Sequence, residues 1–250
     1  MAGHSKWANI KRRKGTVDAA RGKLFTKLVK EITTAARLGG GDPDGNPRLR
    51  AAIITAKSNS MPMDNINRAI KKGAGDAGGA AIEEISYEGY GPGGVAIFIE
   101  AQTDNKNRTS SDIRSSFSKL NGNLGTNGSV AWMFQKQSRF NFDAKRYSEE
   151  ELMEAALEAG ADDVLDEGEE LIMVAAPTAF GEVANYLDSH QLQYGQAELT
   201  MIPENTISVS GKEAETLFKL IERLEDLDDV QKVYANFDID DSELERIANI

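Results

Sequence analysis

Five cations fall within nine positions near the start of the chain, Lys6, Lys11, Arg12, Arg13 and Lys14, with Trp7 beside the first of them and no acid among the first fourteen residues. Lys and Arg at this density neutralise phosphates and release condensed counterions, the main source of sequence-independent affinity for nucleic acids. An indole among them can stack on a base or insert between bases. A solvated basic tail is the alternative for such a run standing alone.

The run does not stand alone. Residues 1–80 hold 16 Lys and Arg against 6 Asp and Glu, a net of +10, whereas residues 81–250 hold 13 against 34, a net of -21. The formal charge of -11 therefore conceals a polarised molecule. Such asymmetry points to a polyanionic partner for the basic part. Arg21, Lys23, Arg68, Lys71 and Lys72 are the cations that would widen the footprint. For Lys71 and Lys72, compensation of a helix C-terminus competes with phosphate contact.

Other chemistries have little material. Only His4 and His190 are present, 186 positions apart, so a histidine-centred triad is not expected. Without cysteine there are no disulfides and no thiolate metal sites, which fits a reducing compartment. Asp42, Asp44 and Asn46 imitate the opening of a calcium loop, but Pro47 stands where glycine is needed and no Glu closes the loop. The glycines of Gly89–Gly94 lead into a strand pattern without the Lys-Ser/Thr of a phosphate loop, so a tight hairpin is expected. Acids such as Glu149–Glu151 and Asp162–Asp163 sit on helix starts and turns, where solvated faces are usual. No enzyme activity, metal or cofactor is expected.

The elements that must hold the cations are helical. Leu24, Leu28, Ile32 and Ala36 recur every fourth residue, a stripe that predicts an amphipathic helix over Val17–Leu38. A glycine-rich loop to Pro47 ends it, and a second helix is expected from Arg48 to Asn59. A third is expected to be capped by Asp64 and to run through Lys72, with Ile66, Ala69 and Ile70 inward. Gly73–Ala80 reads as a linker.

Beyond it, strands are expected at Glu84–Glu88, Val95–Ala101, Ser129–Phe134 and Ser138–Phe142. A helix with Ile113, Phe117 and Leu120 inward would open on a capping box of Thr109 and Asp112. Residues 148–203 contain fourteen acids and no Lys or Arg, with helices at Glu149–Ala159 and Thr178–Ser189 alternating with strands at Glu170–Ala175 and Gln196–Met201. This unit reads either as a soluble acidic domain or as a surface for a basic protein partner. A helix at Glu213–Glu225, a strand at Val230–Phe237 and a short helical tail from Asp240 complete the chain. The longest apolar stretch, Val95–Ile99, is too short to span a bilayer, and no signal peptide is visible, so a bacterial cytoplasmic location is expected.

Four stretches, Gly3–Lys14, Pro62–Lys72, Tyr87–Gly94 and Thr103–Thr109, in this order, closely resemble the YebC/PmpR family. The resemblance extends from residue 2 to about 240. It implies a DNA-binding transcriptional regulator. Related members, among them a mitochondrial translational activator, imply a ribosome-associated factor on ribosomal RNA as the alternative. An adaptor acting through the acidic unit is the reading from another class. The expected fold is α+β: a basic tail and three-helix domain at 1–80, a discontinuous central domain at 81–145 plus 204–240, an acidic domain inserted at 146–203, and a tail at 241–250. Both α/β domains are expected to be ferredoxin-like sandwiches.

Overall fold

A computed structural model describes residues 18–75 and 82–248, with the backbone alone at 18–21, 241 and 248. The tail residues Lys6, Trp7, Lys11, Arg12, Arg13 and Lys14, the side chain of Arg21 and most of the expected linker lie outside the described residues. The described chain forms two compact units. One consists of residues 24–75 and 136–201, the other of residues 82–135 and 202–248 with the start of the first helix to Lys23.

The first unit opens with helices α1 (Asp18–Gly39), α2 (Pro47–Ser58) and α3 (Met63–Ala74). Leu28, Ile32, Ala35 and Ala36 of α1 pack with Leu49, Ile53, Ala56, Met61, Ile66 and Ala69. Asn46, the third would-be ligand of the imitation calcium loop, is a helix cap instead. Its side chain accepts from Leu49 N and donates to the carbonyls of Ala35 and Gly40 at 2.8 and 2.9 Å. Asp64 does not cap α3 as expected. The helix begins two residues earlier than such a cap would set, behind Pro62, and Asp64 lies in its first turn, where its charge favours the positive helix end.

The same unit continues with strands β4 (Phe134–Asp143), β5 (Asp163–Asp166), β6 (Glu170–Ala175) and β7 (Gln196–Pro203), and helices α5 (Glu149–Ala159) and α6 (Phe180–Ser189). The order β5-β6-β4-β7 with a βαββαβ succession is the ferredoxin-like arrangement. Phe140, Phe142, Leu152, Leu171, Met173, Phe180 and Leu187 fill its core, which Ala51 and Ile54 of α2 also enter. Arg50 of α2 reaches Asp188 at 2.9 Å, and Thr55 Oγ1 donates to Ala197 O at 3.3 Å. The helices keep a core of their own, and α2 alone joins it to the sandwich by sending Ala51 and Ile54 into the second one.

The second unit is a sheet of order β3-β1-β2-β9, from β1 (Glu83–Tyr90), β2 (Ala96–Thr103), β3 (Asn123–Leu124) and β9 (Val230–Ala235). β1 and β2 form the expected hairpin, pairing Tyr90 with Ala96 around a turn at Pro92–Gly94. Helices α4 (Lys106–Lys119) and α7 (Gly211–Glu225) cover one face, where Ile97, Ile99, Ile113, Phe117, Leu217, Ile221 and Val233 meet. Two short strands, β8 (Ile207–Ser208) and β10 (Phe237–Asp238), pair in parallel, and helix α8 (Asp241–Ala248) sends Leu244 and Ile247 into the same core.

Two expectations need correction here. Helix α4 is capped by Asn105, whose side chain accepts from Arg108 N at 3.1 Å, so Thr109 lies inside the helix. Residues Ser129–Phe134 are not a strand but a turn and a short 3-10 segment at Ala131–Met133, and Ser138–Phe142 belongs to a strand already begun at Phe134. The Glu88 carboxylate takes the N–H groups of Gly128, Val130 and Ala131, leaving none of these donors for a ladder.

Candidate nucleic-acid interface

Helix α3 carries the described part of the basic surface. Ile66, Ala69 and Gly73 are its buried positions. At Gly73 the helix lies so close to α1 that an added Cβ would stand 2.3 Å from Thr33 O and 2.8 Å from the Ala36 Cβ. Thr33 also donates its hydroxyl to Ala69 O at 3.4 Å. This seat turns Arg68, Lys71 and Lys72 outward, three and four residues apart on one exposed face. Arg68 is drawn along its own helix, with Nε donating to Asp64 O at 3.2 Å and a second bond to Asn65. Lys71 and Lys72 make no ion pair among the described residues.

The other cations are more committed. Lys23 lies 3.4 Å from the Asp226 carboxylate, an exposed pair of the kind that contributes little stability and is readily exchanged. Arg48 holds Glu31 with two parallel bonds of 2.6 and 2.9 Å, and Arg50 is taken by Asp188. The structure therefore separates Arg48 and Arg50, which acids hold in place, from the open Lys71 and Lys72, a distinction that composition does not carry.

The stretches that carry the family resemblance in the second unit organise two buried carboxylates. Asp229 accepts from Thr103 Oγ1, Thr109 Oγ1 and Arg108 Nη2 at 3.2, 2.9 and 2.7 Å. Glu88, 3 % exposed, accepts from Gly128, Val130 and Ala131 at 2.7, 2.7 and 2.8 Å. Burial opposes its ionisation, but these N–H groups outweigh burial and hold its carboxyl below the ordinary value. Above this nest stands Trp132, 67 % exposed, its Nε1 donating to Ser129 O at 3.2 Å. Sequence reasoning missed Trp132 by reading Ser129–Phe134 as a strand. A signal was present: residues 113–142 contain no Asp or Glu, in a part of the chain that is otherwise strongly acidic.

His190 stacks on Tyr186 at a centroid distance of 4.0 Å and sits on an exposed helix end with Ser189 and the Tyr186 carbonyl. Among the described residues no group of three or more His, Asp and Glu is placed to hold a metal ion, and no helix is long and apolar enough to cross a membrane.

The family profile described as the TACO1/YebC protein N-terminal domain matches residues 5–76, and that of the TACO1/YebC second and third domain matches residues 82–237. A "probable transcriptional regulatory protein" of Geobacter sulfurreducens is 55% identical over 247 residues, covering 99% of this chain and 100% of the relative. One so named from Syntrophus aciditrophicus is 54% identical over 249 residues, with the same coverage. The crystal structure of a conserved hypothetical protein from Aquifex aeolicus superposes with a TM-score of 0.80 at 48% identity, covering 90% of this chain and 93% of that one.

Proposed function

The chain belongs to the TACO1/YebC family, and from that membership we propose that it is a non-enzymatic, cytoplasmic regulator of gene expression that docks on the phosphate backbone of a nucleic acid. One observation carries the reading: a net charge of +10 over residues 1–80 of an otherwise acidic chain, part of it the open Lys71 and Lys72 on one face of α3. Lys6, Lys11, Arg12, Arg13 and Lys14 neutralise phosphates, and Trp7 stacks or inserts. Arg21, Arg68, Lys71 and Lys72 extend the footprint, and Lys23 joins by exchanging Asp226 for a phosphate. DNA is the first target, in keeping with relatives named as transcriptional regulators.

The test is the salt dependence of binding. With about five phosphates neutralised on duplex DNA, log K falls against log salt with a slope of about -4.5. Replacing Lys11, Arg12, Arg13 and Lys14 together by Ala should flatten it. A slope that does not change refutes the assigned contacts. The exposed Trp132 favours a second reading, a ribosomal RNA target, because RNA displays unstacked bases. Crosslinking in cells, followed by sequencing of the attached DNA and RNA, distinguishes the two.

A further inference from the structure

We propose that the corner from Asn121 to Met133 is a second nucleic-acid contact, specific for single strands, in which Trp132 is the platform for an unstacked base. The inference rests on the phosphate-docking reading and adds to it a ligand class and a separate site.

The corner is built to present a ring. Glu88 fixes the backbone at Gly128, Val130 and Ala131 from beneath, and Tyr90 donates its hydroxyl to Ser129 O at 3.1 Å. The same carbonyl receives the Trp132 Nε1–H, so the indole edge is tied to the turn while the residue stays largely exposed. An exposed indole held in one orientation loses little conformational freedom on stacking. Asn121 stands at a positive φ of 56°, and β3 ties Asn123 to Tyr90 across the strand pair.

The charge of the corner favours a polyanion over a protein face. Between Asp112 and Asp143 there is no acid, while Arg114 and Lys119 lie exposed on α4, the helix that leads into the corner. Neither makes an ion pair among the described residues. Asn121, Asn123, Thr126 and Asn127 are exposed and add hydrogen-bonding groups of the kind that meet base edges and sugars. Glu204, an exposed acid from another segment, donates its backbone N–H to Met133 O at 2.9 Å. Glu88 is buried and its charge is matched by three N–H groups. A base on the exposed Trp132 ring, in a corner without acids of its own, is therefore the occupant, since aromatic stacking accepts any base.

The experiment compares two polymers on the full chain: a short labelled oligouridylate and an abasic oligonucleotide of equal length, which keeps the phosphates and lacks the bases. Trp132→Ala should weaken the oligouridylate about tenfold and leave the abasic strand unchanged, and Trp132→Phe should recover most of the loss. The side chain is largely solvent-exposed, so a thermal melt of each variant checks that the fold is kept. Equal weakening of both polymers by Trp132→Ala, or weakening of neither, overturns the platform. Failure of the wild-type chain to bind the oligouridylate overturns it too; duplex binding that persists in that case, with its salt slope still set by Lys11–Lys14, leaves phosphate docking intact.

Discussion

Glu88 and Asp229 are acids in a strongly negative protein that nonetheless act as acceptors rather than as surface charge. Of the N–H groups that Glu88 accepts, that of Val130 is buried and would otherwise lack a partner, which costs about 1–3 kcal/mol. Glu88→Gln, which cannot match three donors with a full negative charge, should lower stability by about that amount in urea unfolding at neutral pH. The sign with pH follows from its depressed carboxyl. A folded-state value below the ordinary 4.5 contributes stability that is present above 4.5 and is lost as pH falls through the folded value. The gap between wild type and Glu88→Gln should therefore be widest near neutrality and close in acid; a gap that widens below pH 4.5 would contradict the assignment. Asp229→Asn should also destabilise by about 1–3 kcal/mol, because Arg108 and two threonine hydroxyls converge on one carboxylate oxygen.

Among the elements, the crossing of α1 and α3 decides where the open lysines sit. Alanine in place of a mid-helix glycine ordinarily stabilises by about 0.5–1 kcal/mol. At Gly73 the new methyl would meet Thr33 O at 2.3 Å, and overpacking of this kind costs about 1–3 kcal/mol. Gly73→Ala should thus lower the unfolding midpoint and, by displacing α3, weaken nucleic-acid binding. An unchanged midpoint would show that the two helices have room to part. This contact also marks what a sequence can reveal. The stripes of α1 and α7 were legible because a four-residue period needs no knowledge of the partner. The start of α4 was not, because Asn105 and Thr109 are equally good local caps and the choice lies with Asp229, 120 positions from Thr109. Nor was the turn beneath Trp132, since it is imposed by a carboxylate 40 positions away from Gly128. The cations of the proposed interface were visible as residue types, whereas the division between Arg48 and Arg50, held by Glu31 and Asp188, and the open Lys71 and Lys72 depends on tertiary contacts.

For the molecule as a whole, the acidic sandwich bears on binding through charge. Its core takes in Ala51 and Ile54 of α2, so deleting it would expose apolar surface under the basic helices and confuse loss of a partner with loss of fold. Point neutralisation avoids this. Glu149, Glu150 and Glu151 are exposed in the first turn of α5, and their replacement by Gln should cost about 0.3–1 kcal/mol each through the helix dipole. Removing these three negative charges reduces repulsion of any polyanion approaching the chain. The effect decays over a Debye length of about 10 Å at 0.1 M salt, so the triple variant should bind duplex DNA more tightly than wild type at low salt and equally at high salt. If the acidic face also receives a basic protein, which we propose as the second role of this domain, the same variant should release that partner while its grip on nucleic acid improves. Opposite shifts in the two affinities separate an adaptor surface from a merely repulsive one. Tighter binding that persists undiminished at high salt would instead mean that the glutamates act by direct contact.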